Sequence, residues 1–375
     1  MMAVPYDGAR RTPSGGSPGT RDAVQVGLVT PWQGPAGMFG LSCRMCAELA
    51  VAEINLDGGL LGRPVELHHV DGGADPGAVA LEVQRLVRTN QVDAVVGWHI
   101  SAVRRRLAPR IAAQVPYVYT ALYEGGERTP GVLLTGETPA NQLGPALEWM
   151  RTELGVRRWA VVGDDYVWPR ASAAEAARWA RAHDVPIVDE VYVPLGTRDF
   201  GPALRTLARG GADGVLVLLV GEDAVHFNRA FAAAGLDRWQ TRLSTLMDET
   251  MLLASGERAT RSLYSAAGYF EDLTTTDALE FGGRFAERFG ATAPVPSSLG
   301  ESCYEGMNLY AQLVRDAGTT GREEVLAVSE QVRFGGARGE VTLRRSHVVQ
   351  DVYIARAQGV HFEVIARLSS GIRES

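Results

Sequence analysis

The strongest constraint on this chain is a grammar that runs twice. From Val24, short apolar runs alternate with helical segments, and the alternation restarts after Gly136. "VQVGLVT", "PVELHHVD", "VDAVVGWHIS" and "VPYVYTA" read as strands, brief and bounded by turn residues. "LSCRMCAELAVAEINLDGG", "PGAVALEVQRLVRTN" and "AVRRRLAPRIAAQ" between them carry apolar residues at helical spacing. Strand, helix and strand in repetition predict parallel sheets with helices on both faces. After the helix "ANQLGPALEWMRTELG", the second half brings strands at "RRWAVVGDD", "VPIVDEVYVP" and "DGVLVLLVG", with helices expected at 169–183 and 199–210. The C-terminal "GEVTLRRSHVVQDVYIARAQGVHFEVIARL" differs and reads as antiparallel strands around a tight "AQG" turn. A length of 375 residues exceeds one ordinary core and suits two lobes.

Charge and composition remove some functions. A formal net charge of −7 argues against a general nucleic-acid binder, which usually presents a basic face. No apolar run reaches the roughly 18 residues of a membrane span. Residues 1–22 are polar and rich in Gly, Pro, Ser and Thr, so a disordered tail is expected there. That stretch has no signal-peptide core, which makes cytoplasmic residence the expectation. Of the three cysteines, Cys43 and Cys46 form a C-x-x-C on a helical pattern without a second pair or a nearby histidine. Packing inside a helix is their expected role, and the odd count suits a reducing compartment.

Open α/β sheets bind ligands beyond the carboxyl ends of their strands. Those ends carry Thr30 to Gly40, Asp71 to Asp75, Trp98 to Ser101, Tyr119 to Ala121 with Tyr123 and Glu124, Asp164 to Trp168, and Gly221 to Asp223. Aromatics, hydroxyls and a few carboxylates suit a pocket with an apolar wall. Catalysis is not expected. "TPWQGPAGMFG" spaces its glycines poorly for a dinucleotide fingerprint, and no P-loop or G-x-S-x-G elbow occurs. Asp164 and Asp165 are adjacent in a strand, point to opposite faces and make a poor acid–base pair. Asp164 is expected to cap the following helix. Arg104, Arg105 and Arg106 are expected on a solvated helix face, and His99 reads equally as a satisfied, semi-buried imidazole.

The ordered segments "VGLVTPWQGPAG", "AVAEINLDGGLLGRPVEL", "GGADP", "VVGWHIS", "TALYEGG", "NQLGPALEWM", "GDDYVWPR" and "VYVPLGTRDF" resemble the type I periplasmic-binding-protein fold. More narrowly, "YEGG" followed by "DDYVWPR" is similar to the amide and urea branch. That branch holds a cytoplasmic amide sensor of amidase operons and substrate-binding proteins of ABC transporters. The resemblance spans about Val24 to Leu368. It implies two lobes, each a doubly wound parallel sheet, with a ligand cleft between them. The N-terminal lobe should comprise 23–137 plus 269–340, and the C-terminal lobe 138–268 plus 341–370. Crossings are expected near 136, 268 and 340.

The same resemblance carries site residues over. Ser101 matches the family's hydroxyl position, with His99 where relatives often have an aromatic residue. Tyr119 and the "YEG" tyrosine, Tyr123, match the first-lobe tyrosines, with Thr120 and Ala121 between them. Tyr166 matches the second-lobe tyrosine that closes over the ligand, and Asp165 precedes it as a hydrogen-bond acceptor. Gly221 and Glu222 form the facing loop. Glu222 and Asp223, if they face the cleft, favour a cationic group. "TAL" replaces the sensor's Pro-Thr-Pro run, which leaves the ligand open. The implied function is non-enzymatic capture of an amide, urea or amino-acid-like molecule, with no cofactor or metal. The expected role is a cytoplasmic sensor acting through an antiterminator-type regulator. The alternative is the substrate-binding component of an ABC importer for amides, urea or branched-chain amino acids, with a permease as partner. Self-association is also common in the family.

Overall fold

The computed structural model describes residues 22–290 and 292–370, so the tail expected over 1–22 lies outside the described residues but for Asp22. The first lobe opens with β1 (Val24–Thr30), α1 (Gly40–Leu56), β2 (Val65–Asp71), α2 (Pro76–Arg88), β3 (Ala94–Gly97), α3 (Ser101–Ile111), β4 (Tyr117–Tyr119) and β5 (Val132–Leu134). The chain then builds the second lobe. It contributes α4 (Leu143–Glu153), β6 (Trp159–Asp164), α5 (Val167–Ala182), β7 (Ile187–Val193), α6 (Gly201–Arg209) and β8 (Gly214–Leu218). It continues with α7 (Glu222–Ala233), β9 (Thr241–Ser244), α8 (Glu249–Ser255) and β10 (Leu263–Ala267). Next come α9 (Thr276–Phe289), α10 (Ser298–Ala317), α11 (Arg322–Ala327), β11 (Arg333–Gly336), β12 (Gly339–Arg344), β13 (His347–Val349), β14 (Asp351–Gln358) and β15 (His361–Ser370).

Two sheets result, in the orders β11-β12-β13-β5-β4-β3-β1-β2 and β15-β14-β10-β9-β8-β6-β7. Each is parallel through its centre and gains antiparallel strands at one edge. The central strands are buried along their length, as helices on both faces require. Local chemistry agrees with the fold. Asp75 caps α2 by accepting from the Gly77 and Ala78 amides, with Pro76 in the first turn where no amide partner is needed. Cys43, Cys46 and Cys303 are all free and buried where α1 packs on α10, the packing role expected of the C-x-x-C.

The chain passes between lobes after β5, after β10 and at Gln350, between β13 and β14. The third passage comes about ten residues later than expected. Beyond 340 the chain first completes an antiparallel hairpin of β12 and β13 in the first sheet, turning on Arg345 and Ser346, both with positive φ. One arginine gathers the hinge. Arg338, in the β11–β12 turn, pairs with Glu301 at 3.1 Å and Glu137 at 3.7 Å, and bonds Glu305. Glu137, on the first passage, also accepts from the Gly268 amide on the second at 2.7 Å.

Candidate functional site

The two lobes meet over the carboxyl ends of their strands. Trp98, His99, Ile100, Ser101, Ala121 and Leu122 from the first lobe face Tyr166, Trp168 and Leu246 from the second around one cavity. Only about 10 Å³ is open to the centre of a water-sized sphere, so the lobes stand closed. A tight backbone contact holds them. Gly221 has φ of 53°, and a Cβ there would overlap the Pro35 carbonyl across the cleft.

Two helices begin at this cavity. In α3 the first amides with a carbonyl partner are those of Val103 and Arg104, both on Ile100 O at 2.9 and 3.4 Å. In α5 the Arg170 amide bonds Tyr166 O at 3.3 Å. Neither N-terminus has a side-chain cap. The opening amides, those of Ser101 and Ala102 in α3 and of Val167 and Trp168 in α5, where Pro169 has none, therefore lack a carbonyl partner and lie at positive dipole ends beside one cavity. Further donors stand nearby. Ser101 Oγ and Trp98 Nε1 are buried without partners. Ser101 lies beside the Tyr119 phenol, which donates to His99 O at 2.8 Å and whose oxygen remains open to accept from the Ser101 hydroxyl when no ligand does.

No lining residue supplies a positive charge. His99 is fully buried and bonded to Tyr117 at 2.9 Å, and burial pushes its pKa down to about 3. It is a neutral wall of the pocket. Tyr166 is half-buried as a residue, yet its phenol is desolvated and raised well above the usual range, with Asp164, Tyr119 and Glu124 adding to burial. The chemistry available is hydrogen bonding and dipole attraction in an aromatic enclosure, which suits a small anion with an apolar body.

His99, Ser101, Ala121 and Tyr166 thus come together as the sequence implies, and Gly221 sits at the closing contact. The others go elsewhere. Tyr119 stands behind His99. Thr120 turns away to α10, its hydroxyl 3.4 Å from Cys303 Sγ. Tyr123 bonds His347 and lies under Arg104. Asp165 is exposed and pairs with Arg170 at 2.7 Å, because it lies just past the end of β6, in the bend before α5.

Its neighbour Asp164 points inward but does not cap α5. It accepts from the Val220 amide at 2.8 Å and faces Asp223. Burial, then the Asp223 charge, raises Asp164 well above the carboxylate range, so the pair holds a proton. Asp223 also accepts from the Gly196 amide at 2.6 Å. It is therefore not a free rim charge, and Glu222 alone is exposed, on an outer groove of about 360 Å³ with Trp32 and His226. Arg104 leaves the expected solvated face. It is buried between Glu124 and Glu127, while Arg105 and Arg106 are exposed.

Trp98, Ile100, Leu122, Trp168 and Leu246 complete the lining. Strand ends pointed to Trp98, Ile100 and Trp168, while Leu122 fell between the strand-end residues Ala121 and Tyr123. Leu246 had no signal beyond its place just after β9.

Residues 23–361 match the family model of periplasmic binding proteins. The chain belongs to that family. Its members are binding proteins and not enzymes. Among curated relatives, the Leu/Ile/Val-binding protein homolog 6 of Brucella melitensis is 25% identical over 89% of this chain and 87% of its own length. Among solved structures, an ABC-transporter solute-binding protein of Rhodopseudomonas palustris with 3,4-dihydroxybenzoic acid has a TM-score of 0.85 at 22% identity, covering 94% of this chain and 99% of that one. The branched-chain amino-acid-binding LivJ of Streptococcus pneumoniae with isoleucine has a TM-score of 0.81 at 18% identity, covering 92% and 99%. These relatives share the two-lobed fold and do not single out the amide and urea branch. Among the described residues, no helix is long and apolar enough to cross a membrane.

Proposed function

We propose that this protein captures a small organic carboxylate with an apolar, preferably aromatic, body, as the solute-binding component of an ABC importer. One observation carries the ligand class: two uncapped helix N-termini, from opposite lobes, meet at a cavity of aromatic and aliphatic side chains. They attract a carboxylate without a basic side chain. The lining has no carboxylate to receive an ammonium group, which favours simple acids over amino acids. Amides and urea use the unmatched amides less well, because they bring no negative charge.

A branched-chain amino acid is the second reading. Asp248, two residues beyond Leu246, is buried and has one carboxylate oxygen without a partner. A screen by melting temperature separates these ligands, since a molecule that binds only the folded state stabilises it. Benzoate and its relatives should raise the melting point more than leucine, isoleucine, acetamide or urea. Ser101→Ala should then weaken the best carboxylate by about 5- to 150-fold, for a loss of about 1–3 kcal/mol. A response to acetamide or urea alone would remove the carboxylate reading.

The relatives named above are transport-type or Leu/Ile/Val-binding proteins, which favours an importer over the cytoplasmic sensor and its antiterminator-type partner. An importer component works outside the cytoplasm beside a permease. Fractionation of native cells should recover it there, and recovery only in the cytoplasm would return the balance to a sensor.

A further inference from the structure

Where α10 begins, it lies directly against the first turn of α1. The Ser297 amide donates to Ser42 Oγ at 3.1 Å, and the two serine hydroxyls stand 3.3 Å apart. Gly300 permits this approach. A Cβ there would overlap Ser42 Oγ and lie 2.9 Å from both the Ser42 carbonyl oxygen and Cys46 Sγ. The two helices therefore meet backbone to backbone.

All three cysteines of the chain gather at this contact. Cys43 Sγ donates to Leu299 O at 3.5 Å, the carbonyl that α10 pairs with the Cys303 amide one turn on. That shared acceptor brings the Cys43 sulfur to the backbone of Cys303, and the two thiols are in hydrogen-bonding contact. Cys303 Sγ also lies 3.4 Å from Thr120 Oγ1. Cys46 turns to the Ser42 hydroxyl instead. A disulfide needs Cα atoms within about 7 Å, the closeness that backbone contact at Gly300 gives this pair of helices.

We propose that Cys43 and Cys303 form a disulfide when the chain folds in oxidising surroundings, with Cys46 left as a thiol. The free thiols seen here are the reduced form. Both are buried in the folded chain, so the bond forms during folding, before α10 seals on α1. The oxidant is a small disulfide such as glutathione disulfide. One cysteine thiolate attacks a sulfur of it, its S–S bond breaks, and one glutathione thiolate leaves. The second cysteine thiolate attacks the mixed disulfide and displaces the other glutathione. The cysteine pair gives up two electrons, glutathione disulfide is reduced, and the two protons end on the glutathione thiols. The Thr120 hydroxyl can still donate to the bonded sulfur. The bond is independent of which ligand the cleft takes. It would fasten α10, which carries Glu301 and Glu305 of the Arg338 cluster, to α1, which follows the Pro35 contact with Gly221.

Refolding the full chain from denaturant in mixed reduced and oxidised glutathione tests this. The product should show one thiol titratable in denaturant where the reduced chain has three. Peptide mapping should recover Cys43 joined to Cys303. The oxidised form should melt roughly 5–15 °C above the reduced form, the usual gain from closing a long loop. Cys46→Ser should still form the bond, and Cys303→Ser should not. Three free thiols after refolding, or a bond that includes Cys46, would overturn the assignment. So would an oxidised product that melts no higher than the reduced one, since a bond that fits the native packing stabilises it. The mapping uses the parent chain alone, so it decides the matter even if a variant does not fold.

Discussion

Gly221→Ala should weaken the tightest carboxylate by about a hundredfold while both lobes remain folded, since overpacking costs about 1–3 kcal/mol and a rigid neighbour puts it at the upper end. The added methyl would meet the Pro35 carbonyl of the opposite lobe, a backbone atom that cannot swing aside like a side chain. Strain from φ of 53° with ψ of −118°, a combination that favours glycine, acts on the open and closed forms alike and costs about 1–3 kcal/mol of stability. The overlap acts on the closed form only. A ligand that needs closure then binds with an affinity reduced by the lost closed population. Calorimetry gives the affinity, solution scattering gives the compaction on binding, and a melting curve checks the fold. Parent-like affinity with parent-like compaction would mean that closure does not depend on this contact.

That contact was only partly legible beforehand. Strand ends in "VGEDA" placed Gly221 on the ligand side, but nothing in the string said that Pro35 would lie against it. Periodicity made the parallel strands readable, because runs such as "AVVG" and "GVLVL" must be buried on both faces. It also set Asp164 and Asp165 apart, though not which of them faced inward. The choice depends on the Val220 amide and the Asp223 carboxyl, 56 and 59 positions away in the chain. Arg104 was misread for a related reason. A run of arginines looks solvated by composition, and only the fold brings Glu124 and Glu127 against one of the three. The uncapped helix starts were invisible as a pair, since α3 and α5 belong to different lobes and meet only on closure.

The hinge offers the other large effect. Arg338 faces Glu137, Glu301 and Glu305 in a buried cluster that ties the first two passages between lobes to α10. Arg338→Met keeps most of the side-chain volume and removes the charge. It leaves buried carboxylates without a cation, a change of about 3–5 kcal/mol, or roughly 10 °C in melting temperature for lobes of this size. The deficit should depend on pH. Burial already holds Glu301 well above its usual range, and the arginine opposes that shift. Without Arg338 the folded Glu301 keeps its proton to a still higher pH than in the parent, while the unfolded chain releases it above about pH 4.3 in both. The folded variant therefore binds more protons than the folded parent once the parent's Glu301 ionises, so the variant falls further behind as pH rises past that point. Melts at pH 5 and pH 8 should therefore show a smaller gap to the parent at pH 5. Glu301→Gln in the variant background should recover part of the loss at pH 8. A gap of equal size at both pH values would mean that Arg338 acts through packing and not charge. Because Glu137 and Gly268 lie on different passages, the same loss would loosen the pivot on which the lobes close, and ligand affinity should fall with it.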